Sequence, residues 1–430
     1  MNDDVLNSIQ AERSEASESH IMVVGVGGGG SNAVNFMREL HIQDVNYMVC
    51  NTDQQALDIS PVELKVRLGA SGEGAGNNPA EGRRAAIESL DVIKQSFQNY
   101  STKMVFIAAA MGGGTGTGAS PVIAKLAREM GILSVAIVTT PIRDEGPLRY
   151  QQALEGIEEL RQSVDSLLII DSDHIAKMAL NMKFNDAMSL PDKVLASAAK
   201  GIAEIITIKS SRTNIDFADV SRVLRNRGRT HMGVGRAAGE NRAEMAARSA
   251  LNAPLLDSCS IRGARTILLN ISCVDSESLV YNELMTILKV IQSEAKYIDE
   301  RGKLRIADII WGNSEKADLG EDLEVIVVAT NFAEVDPKAV VKEPTTDEDT
   351  DEDTDETENT DVNADESTDE IADDPTDEIA TEQEQSEEQS DERKRPQITS
   401  RTVWEELKAI ANRVISTVEE ALGDQDDCKF

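Results

Sequence analysis

Two glycine runs, each set between an apolar strand-like segment and a helix-like one, restrict this chain more than any other feature. The first, Gly25-Val26-Gly27-Gly28-Gly29-Gly30, follows Ile21–Val24 and precedes Ser31–Leu40. The second, Gly112-Gly113-Gly114-Thr115-Gly116-Thr117-Gly118, follows Met104–Ala110 and precedes a stretch beginning Pro121-Val122-Ile123. With no Cβ in the way, successive backbone N–H groups at such a turn point into one concavity, and the positive end of the following helix faces the same space. Phosphate binds there. The second helix is expected to start at Pro121, with Ser120 or Thr117 as N-cap, Val122, Ile123, Leu126, Ala127 and Met130 on one face, and Gly131 at its end.

No segment fits G-x-x-x-x-G-K-[ST], so the lysine of the commonest phosphate loop is absent and charge neutralisation falls to backbone dipoles and a metal ion. Alone, the first run fits the dinucleotide fingerprint G-x-G-x-x-G, with Asp53 as the candidate ribose carboxylate. Two cradles on neighbouring strand ends suit the longer chain of a nucleoside triphosphate. The N–H groups of Gly27, Gly28, Gly29 and Gly30, and of Gly112, Gly113, Gly114, Thr115, Gly116, Thr117 and Gly118, are expected to hold its phosphates. The Thr115 and Thr117 hydroxyls are expected to donate to them as well.

Strand-like segments at Ile21–Val26, Val45–Cys50, Met104–Ala108, Leu133–Val138 and Ser166–Ile170 alternate with helical patterns. That alternation predicts a parallel α/β sheet with ligands beyond the carboxyl ends of its strands. Asp186–Lys209 reads as one long helix burying Ala187, Leu190, Val194, Leu195, Ala198, Ile202 and Ile205. A smaller α/β unit follows, with helices near Asp216–Asn226 and Glu240–Leu251 and strands near Thr266–Ser272, Leu304–Trp311 and Leu323–Thr330. Glu343–Glu392 then carries 25 acidic residues and no Lys or Arg, against a net charge of −34 for the whole chain. Self-repulsion and the scarcity of apolar residues predict that this stretch does not fold.

Gly112–Gly118 resembles the signature of the tubulin and FtsZ superfamily of GTPases, and the chain is similar to its bacterial FtsZ branch over roughly Ile21–Phe332. Gly25–Asn32, Asn51-Thr52-Asp53-Gln54-Gln55-Ala56-Leu57, Gly74-Ala75-Gly76-Asn77-Asn78-Pro79, Glu145-Gly146 with Arg149, and Asn214-Ile215-Asp216-Phe217-Ala218-Asp219-Val220 follow in that family's order. The resemblance implies GTP as substrate, accompanied by Mg2+. It implies that Gly74 and Ala75 belong to a loop sensing the phosphates, that Glu145 and Arg149 contact the sugar and phosphate side, and that Asn32 and Asp192 read the guanine edge. Met188 stands where an aromatic packs on the base in the family, and Ser172 where an amide is found near the ribose. A carboxylate such as Asp192 accepts from both N1–H and N2–H of guanine, a donor pair adenine lacks.

The resemblance further implies that the loop of Asn214, Asp216 and Asp219 enters the nucleotide pocket of the next subunit, where its carboxylates orient the attacking water. Each active site then spans two chains, and a head-to-tail contact that does not close on itself builds a filament. Read without the family, Asp216 is an ordinary helix start signal.

The expected organisation is a disordered tail over 1–20, a GTP-binding domain over 21–185 and a central helix over 186–209. A polymerisation domain over 210–335, an acidic linker over 336–392 and an amphipathic helix over 393–430 complete it. In the last, Val403, Leu407, Ile410, Val414, Val418 and Leu422 share a face after Arg393-Lys394-Arg395. The family's usual terminal peptide, Asp-x-Pro-x-Phe-Leu-Arg, is not found. The acidic content of this helix's polar face disfavours anionic lipid and suits a partner protein of division or membrane anchoring. Cys50, Cys259, Cys273 and Cys428 have no metal-ligand spacing, and no protein-held metal site is expected. The acidic balance and 3% aromatic content argue against nucleic acid, and no apolar run suggests a membrane span. A cytoplasmic GTPase at the division site is the expected function. The alternatives are an FtsZ-like filament with another role and a dinucleotide oxidoreductase.

Overall fold

A computed structural model describes residues 19–332 apart from 41, 43, 209–212, 253–260, 276 and 300. The acidic linker, the C-terminal amphipathic helix, nearly all of the N-terminal tail and the last residue of the expected central helix lie outside the described residues.

The first layer is a seven-stranded sheet of β1 (Ile21–Val26), β2 (Asn46–Asn51), β3 (Leu64–Arg67), β4 (Met104–Ala110), β5 (Leu133–Thr139), β6 (Ser166–Ile170) and β7 (Gly228–Arg229), in the order β3-β2-β1-β4-β5-β6-β7. Every pairing in it is parallel. Nearly continuous apolar runs such as Met104–Ala109 are what a strand covered on both faces requires. The helices that cover it are α1 (Gly27–Glu39), α2 (Gln54–Ile59), α3 (Pro79–Glu88), α4 (Leu90–Asn99), α5 (Gly114–Glu129), α6 (Pro147–Ser163), α7 (Ser172–Ala179) and α8 (Phe184–Thr207). Alternate residues split between two cores. Val23, Phe106 and Val135 meet Val34 and Met37 of α1 and Leu195 and Ile202 of α8. Val24, Val105 and Ile107 meet Ile93 and Phe97 of α4 and Ile123 of α5.

Both glycine runs lie at the carboxyl ends of β1 and β4, but the helices begin earlier than their composition suggests. α1 starts at Gly27 and α5 at Gly114, so Pro121 sits inside α5 rather than at its first turn. Ser120 is not the cap, for its Oγ donates to the Gly116 carbonyl within the helix at 2.6 Å. Packing overrides the poor helix propensity of glycine. A Cβ on Gly30 would lie 2.1 Å from the Ala108 carbonyl oxygen, and one on Gly116 2.4 Å from that of Ala110.

The second layer contains α9 (Phe217–Leu224), β8 (His231–Ala237), α10 (Arg242–Leu251), β9 (Ala264–Cys273), α11 (Tyr281–Glu294), β10 (Lys296–Ile298), β11 (Leu304–Ile306), β12 (Asp308–Glu315) and β13 (Leu323–Phe332). Its sheet runs β12-β9-β13-β8, with β9 and β12 parallel and β13 antiparallel to both β9 and β8. One face packs on α10 and α11. The other meets α8, through Met232, Leu268, Ile326 and Val328.

The single strand expected at Leu304–Trp311 is two, because the Ala307 N–H donates to Ala295 and breaks the run. β11 then pairs with β10 in a separate ribbon while β12 joins the sheet. β8 was hidden by Gly233 and Gly235, which weaken a strand signal. They are required because a Cβ at either would strike a carbonyl oxygen of α10, of Ala250 at 1.8 Å and of Ala246 at 2.0 Å respectively.

Buried ions tie α8 to this sheet. Lys316 Nζ contacts Glu204 at 2.7 Å and Glu324 at 2.5 Å. Burial acts to lower the Lys316 pKa, but the two carboxylates more than offset it and hold the ammonium charged.

Candidate active site

The two glycine turns touch. Gly27, at φ +72°, sits so close to the start of α5 that a Cβ on it would lie 2.9 Å from the Gly116 nitrogen. Neither α1 nor α5 has a side-chain cap, whereas Asp53 caps α2 and Asn78 caps α3. Two sets of unsatisfied N–H groups and two positive helix ends therefore converge at the carboxyl edge of adjacent strands.

Open space marks where a ligand fits. A Cβ on Gly28 or Gly113 would meet nothing within 4 Å, while Gly114, Gly116 and Gly118 are buried against their own fold. Gly29 is half-buried. Thr115 shares a 2.7 Å hydrogen bond with Thr52, a contact whose only sequence signal is the Asn51-Thr52-Asp53 segment. Thr117 also has a structural role. Its side chain is buried, and its Oγ accepts from the Gly112 N–H at 2.8 Å, so it holds the turn closed. Asp53 accepts from the N–H groups of Gln55 and Ala56 through Oδ1 as the α2 cap, a structural role beside the ribose contact that its spacing suggests.

The rim is built from neighbouring loops. The 72–78 segment lies on the start of α5, since a Cβ on Gly114 would come 2.8 Å from Ala75 Cβ and from the Asn78 nitrogen. Gly74, at φ +87°, donates its N–H to the Thr52 carbonyl. Arg149 backs directly on Gly112, which at φ +93° leaves no room for a side chain there, and it pairs with Glu145 at 2.8 Å. Ser172 opens α7 just past the end of β6, buried, with its N–H on Thr140 Oγ. Asn32 is exposed on α1. α1 packs along α8, where Met188 and Asp192 are one turn apart. Met188 is exposed, and Asp192 is half-buried, with its pKa pushed up to about 7 by burial.

Asn214, Asp216 and Asp219 are elsewhere. Asp216 and Asp219 form a capping box on α9, each carboxylate accepting from the other's N–H at 2.8 and 3.2 Å. The loop before them is anchored on β12, where the Thr213 carbonyl accepts from the Asn313 N–H and Ile215 packs on Gly312. The far end of α9 is pinned to the start of β6, with Ser166 Oγ donating to the Leu224 carbonyl at 2.7 Å. Ser166 is level with Phe106 through Val135, four residues or about 13 Å of strand before β4 ends at Ala110. The helix that carries the two aspartates is thus tied to the amino edge of the first sheet and to β12, while the glycine turns lie at the carboxyl edge.

Among the described residues no group of three or more His, Cys, Asp or Glu side chains could hold a metal ion. The donors at the turns are amides and hydroxyls, so a hard divalent ion there would draw its oxygens mainly from phosphate and water.

Residues 20–179 match the model of the tubulin/FtsZ family GTPase domain, and 228–333 match that of the FtsZ family C-terminal domain. The chain is 41% identical over 315 residues to a cell division protein FtsZ of Porphyromonas gingivalis, covering 73% of this chain and 67% of that one. It is 41% identical over 331 residues to a cell division protein FtsZ of Rickettsia bellii, covering 76% and 70%. Among solved structures, an empty FtsZ dimer from M. jannaschii matches with a TM-score of 0.64 and 35% identity, covering 75% of this chain and 91% of that one.

Proposed function

The chain belongs to the tubulin/FtsZ family of GTPases, and from that premise we propose that it assembles head-to-tail and hydrolyses GTP at the junction between copies to drive cell division. One observation carries this reading: the phosphate cradle lies at the carboxyl edge of the first sheet, whereas the helix that carries the two aspartates is anchored at its amino edge and on β12, so the proposed complete site takes its aspartates from a second copy. A contact between unlike faces repeats without closing and gives a filament. The relatives' names support a role in cell division, and the role proposed here is cytoplasmic, at the division site. No helix among the described residues is long and apolar enough to cross a membrane. A division or membrane-anchor partner for residues 393–430 completes the proposal.

In this scheme Gly28, Gly29 and Gly113 donate backbone N–H groups to the triphosphate, and Arg149 and Glu145 border its sugar side. Gly74 and Ala75 bring the adjoining loop to the same rim. Mg2+ would accompany the phosphates, with the Thr115 and Thr52 hydroxyls as side-chain oxygens that could help to hold it. When bound it neutralises phosphate charge. From the next copy, the Asp216 and Asp219 oxygens outside the capping box accept from the attacking water and orient it, while Asn214 borders it. GTP hydrolysis per molecule is expected to be near zero in dilute protein and to rise above a threshold concentration. Full specific activity well below the concentration at which filaments sediment would rule the shared site out.

Asp192 gives a pH signature. Its carboxyl sits near pH 7 in the empty protein, and donors from guanine favour the ionised form, so binding releases a proton in that range. GTP affinity is expected to fall toward tenfold per unit as pH drops below about 7 and to level off above it. Asp192→Asn is expected to flatten the profile. A wild-type profile already flat from pH 6 to 8, by calorimetry at roughly unit steps, would remove Asp192 from the base site. In the empty protein the same raised carboxyl costs folding stability as pH climbs from its unfolded value of 3.8 to about 7, and no further beyond.

A further inference from the structure

The β10–β11 ribbon presents an apolar face that nothing in the described chain covers. In its antiparallel register Ile298 opposes Leu304 and Lys296 opposes Ile306, which puts these four side chains on one face and Tyr297 and Arg305 on the other. On the second face Tyr297 is half-buried with Arg265 over its ring, while Arg305 is exposed and pairs with Asp299. The first faces out, with Ile298 67%, Leu304 63% and Ile306 56% exposed. A two-stranded ribbon has little stability of its own, and three clustered aliphatic side chains on an open strand edge invite association.

The ribbon adjoins the aspartates. Arg222 pairs with Asp308, two residues beyond Ile306, and Arg222 is three residues along α9 from Asp219. The surface is therefore continuous with the face that the proposed head-to-tail contact uses. At the opposite edge, Leu148 stands beside Arg149, and Leu180 and Phe184 flank the turn between α7 and α8; all three are exposed. Apolar patches on two unlike ends of one chain are what a repeating contact between unlike faces needs.

We propose that the β10–β11 ribbon is the apolar part of the subunit junction, its Ile298, Leu304 and Ile306 packing on the Leu148, Leu180 and Phe184 edge of the next copy. This rests on the head-to-tail reading and adds a contact that sets assembly affinity without taking part in nucleotide binding or hydrolysis. The partner is a second copy of the chain.

The test compares full-length Leu304→Glu and Leu304→Met with wild type for sedimentation threshold, and for GTP affinity in dilute monomer. Leu304→Glu is expected to raise the threshold at least about tenfold with GTP affinity unchanged, because a buried charge replaces apolar contact. Leu304→Met is expected to stay near wild type. A wild-type threshold for Leu304→Glu, or loss only of lateral bundling, overturns the proposal. So does an effect that vanishes when residues 398–430 are deleted, which would give the ribbon to the chain's own C-terminal segment. Failure of the head-to-tail reading has a separate mark, namely the absence of any threshold in wild type.

Discussion

Asp219→Ala is expected to lower GTP turnover in assembled protein by about 100-fold or more while leaving nucleotide binding near wild type. A hundredfold loss corresponds to about 2.7 kcal/mol of transition-state stabilisation, within the range of one oriented catalytic group. The capping box complicates this, since Asp219 also accepts from the Asp216 N–H, and losing a cap costs roughly 0.5–2 kcal/mol of stability. Asp219→Asn separates the two roles: it keeps the acceptor for the cap and removes the charge that polarises water. Turnover falling in both variants, with only Asp219→Ala losing melting temperature, assigns the loss to chemistry. Mixing Asp219→Ala with a variant blocked at Gly113 should then restore some activity, because one kind of junction joins an intact cradle to intact aspartates. Two inactive variants that stay inactive when mixed, although each still co-assembles, would place the whole site within one chain.

That capping box shows why one sequence supported two readings of the same residues. Asn214-Ile215-Asp216 ahead of an apolar-periodic segment is a helix start by composition, and in the structure Asp216 does start α9. Nothing in local pattern says that a second chain meets it; only the opposition of sheet edges does. The glycine turns were legible for a related reason, because a strand that ends in glycine and resumes as a helix has few other uses. Their helix starts were not. Gly114–Gly118 has the composition of a loop yet is helical, and its glycines are there because the 75–78 segment, β4 and α3 approach too closely for a Cβ. The structural role of Thr117 is equally illegible from composition, since its hydroxyl accepts from the Gly112 N–H. β8 and the β11 to β12 break were missed because both depend on distant partners, α10 for Gly233 and Gly235 and Ala295 for Ala307.

The two kinds of glycine in the second turn should separate cleanly by substitution. Gly118→Ala is expected to unfold the protein or cost more than about 4 kcal/mol. Its Cβ would lie 1.9 Å from the Pro79 carbonyl oxygen and 2.7 Å from the Arg83 nitrogen, backbone atoms that no rotamer change can move. α3 cannot back away at that point alone, because Gly82 meets the Gly114 carbonyl oxygen of α5 with equally little room, 2.3 Å for a Cβ. Alanine's advantage in helix propensity is only about 1 kcal/mol and does not change the sign. Gly113→Ala is the opposite case. Its φ of −94° and ψ of 177° suit any residue, and its Cβ would meet no protein atom within 4 Å, so stability should stay within about 0.5 kcal/mol of wild type. The methyl would instead stand in the open space before the α5 N–H groups, and GTP affinity should drop at least tenfold, about 1.4 kcal/mol. Thermal melts and nucleotide titrations on both variants decide the matter. Wild-type stability for Gly118→Ala would contradict the helix contact, and wild-type GTP affinity for Gly113→Ala would move the phosphates away from this turn.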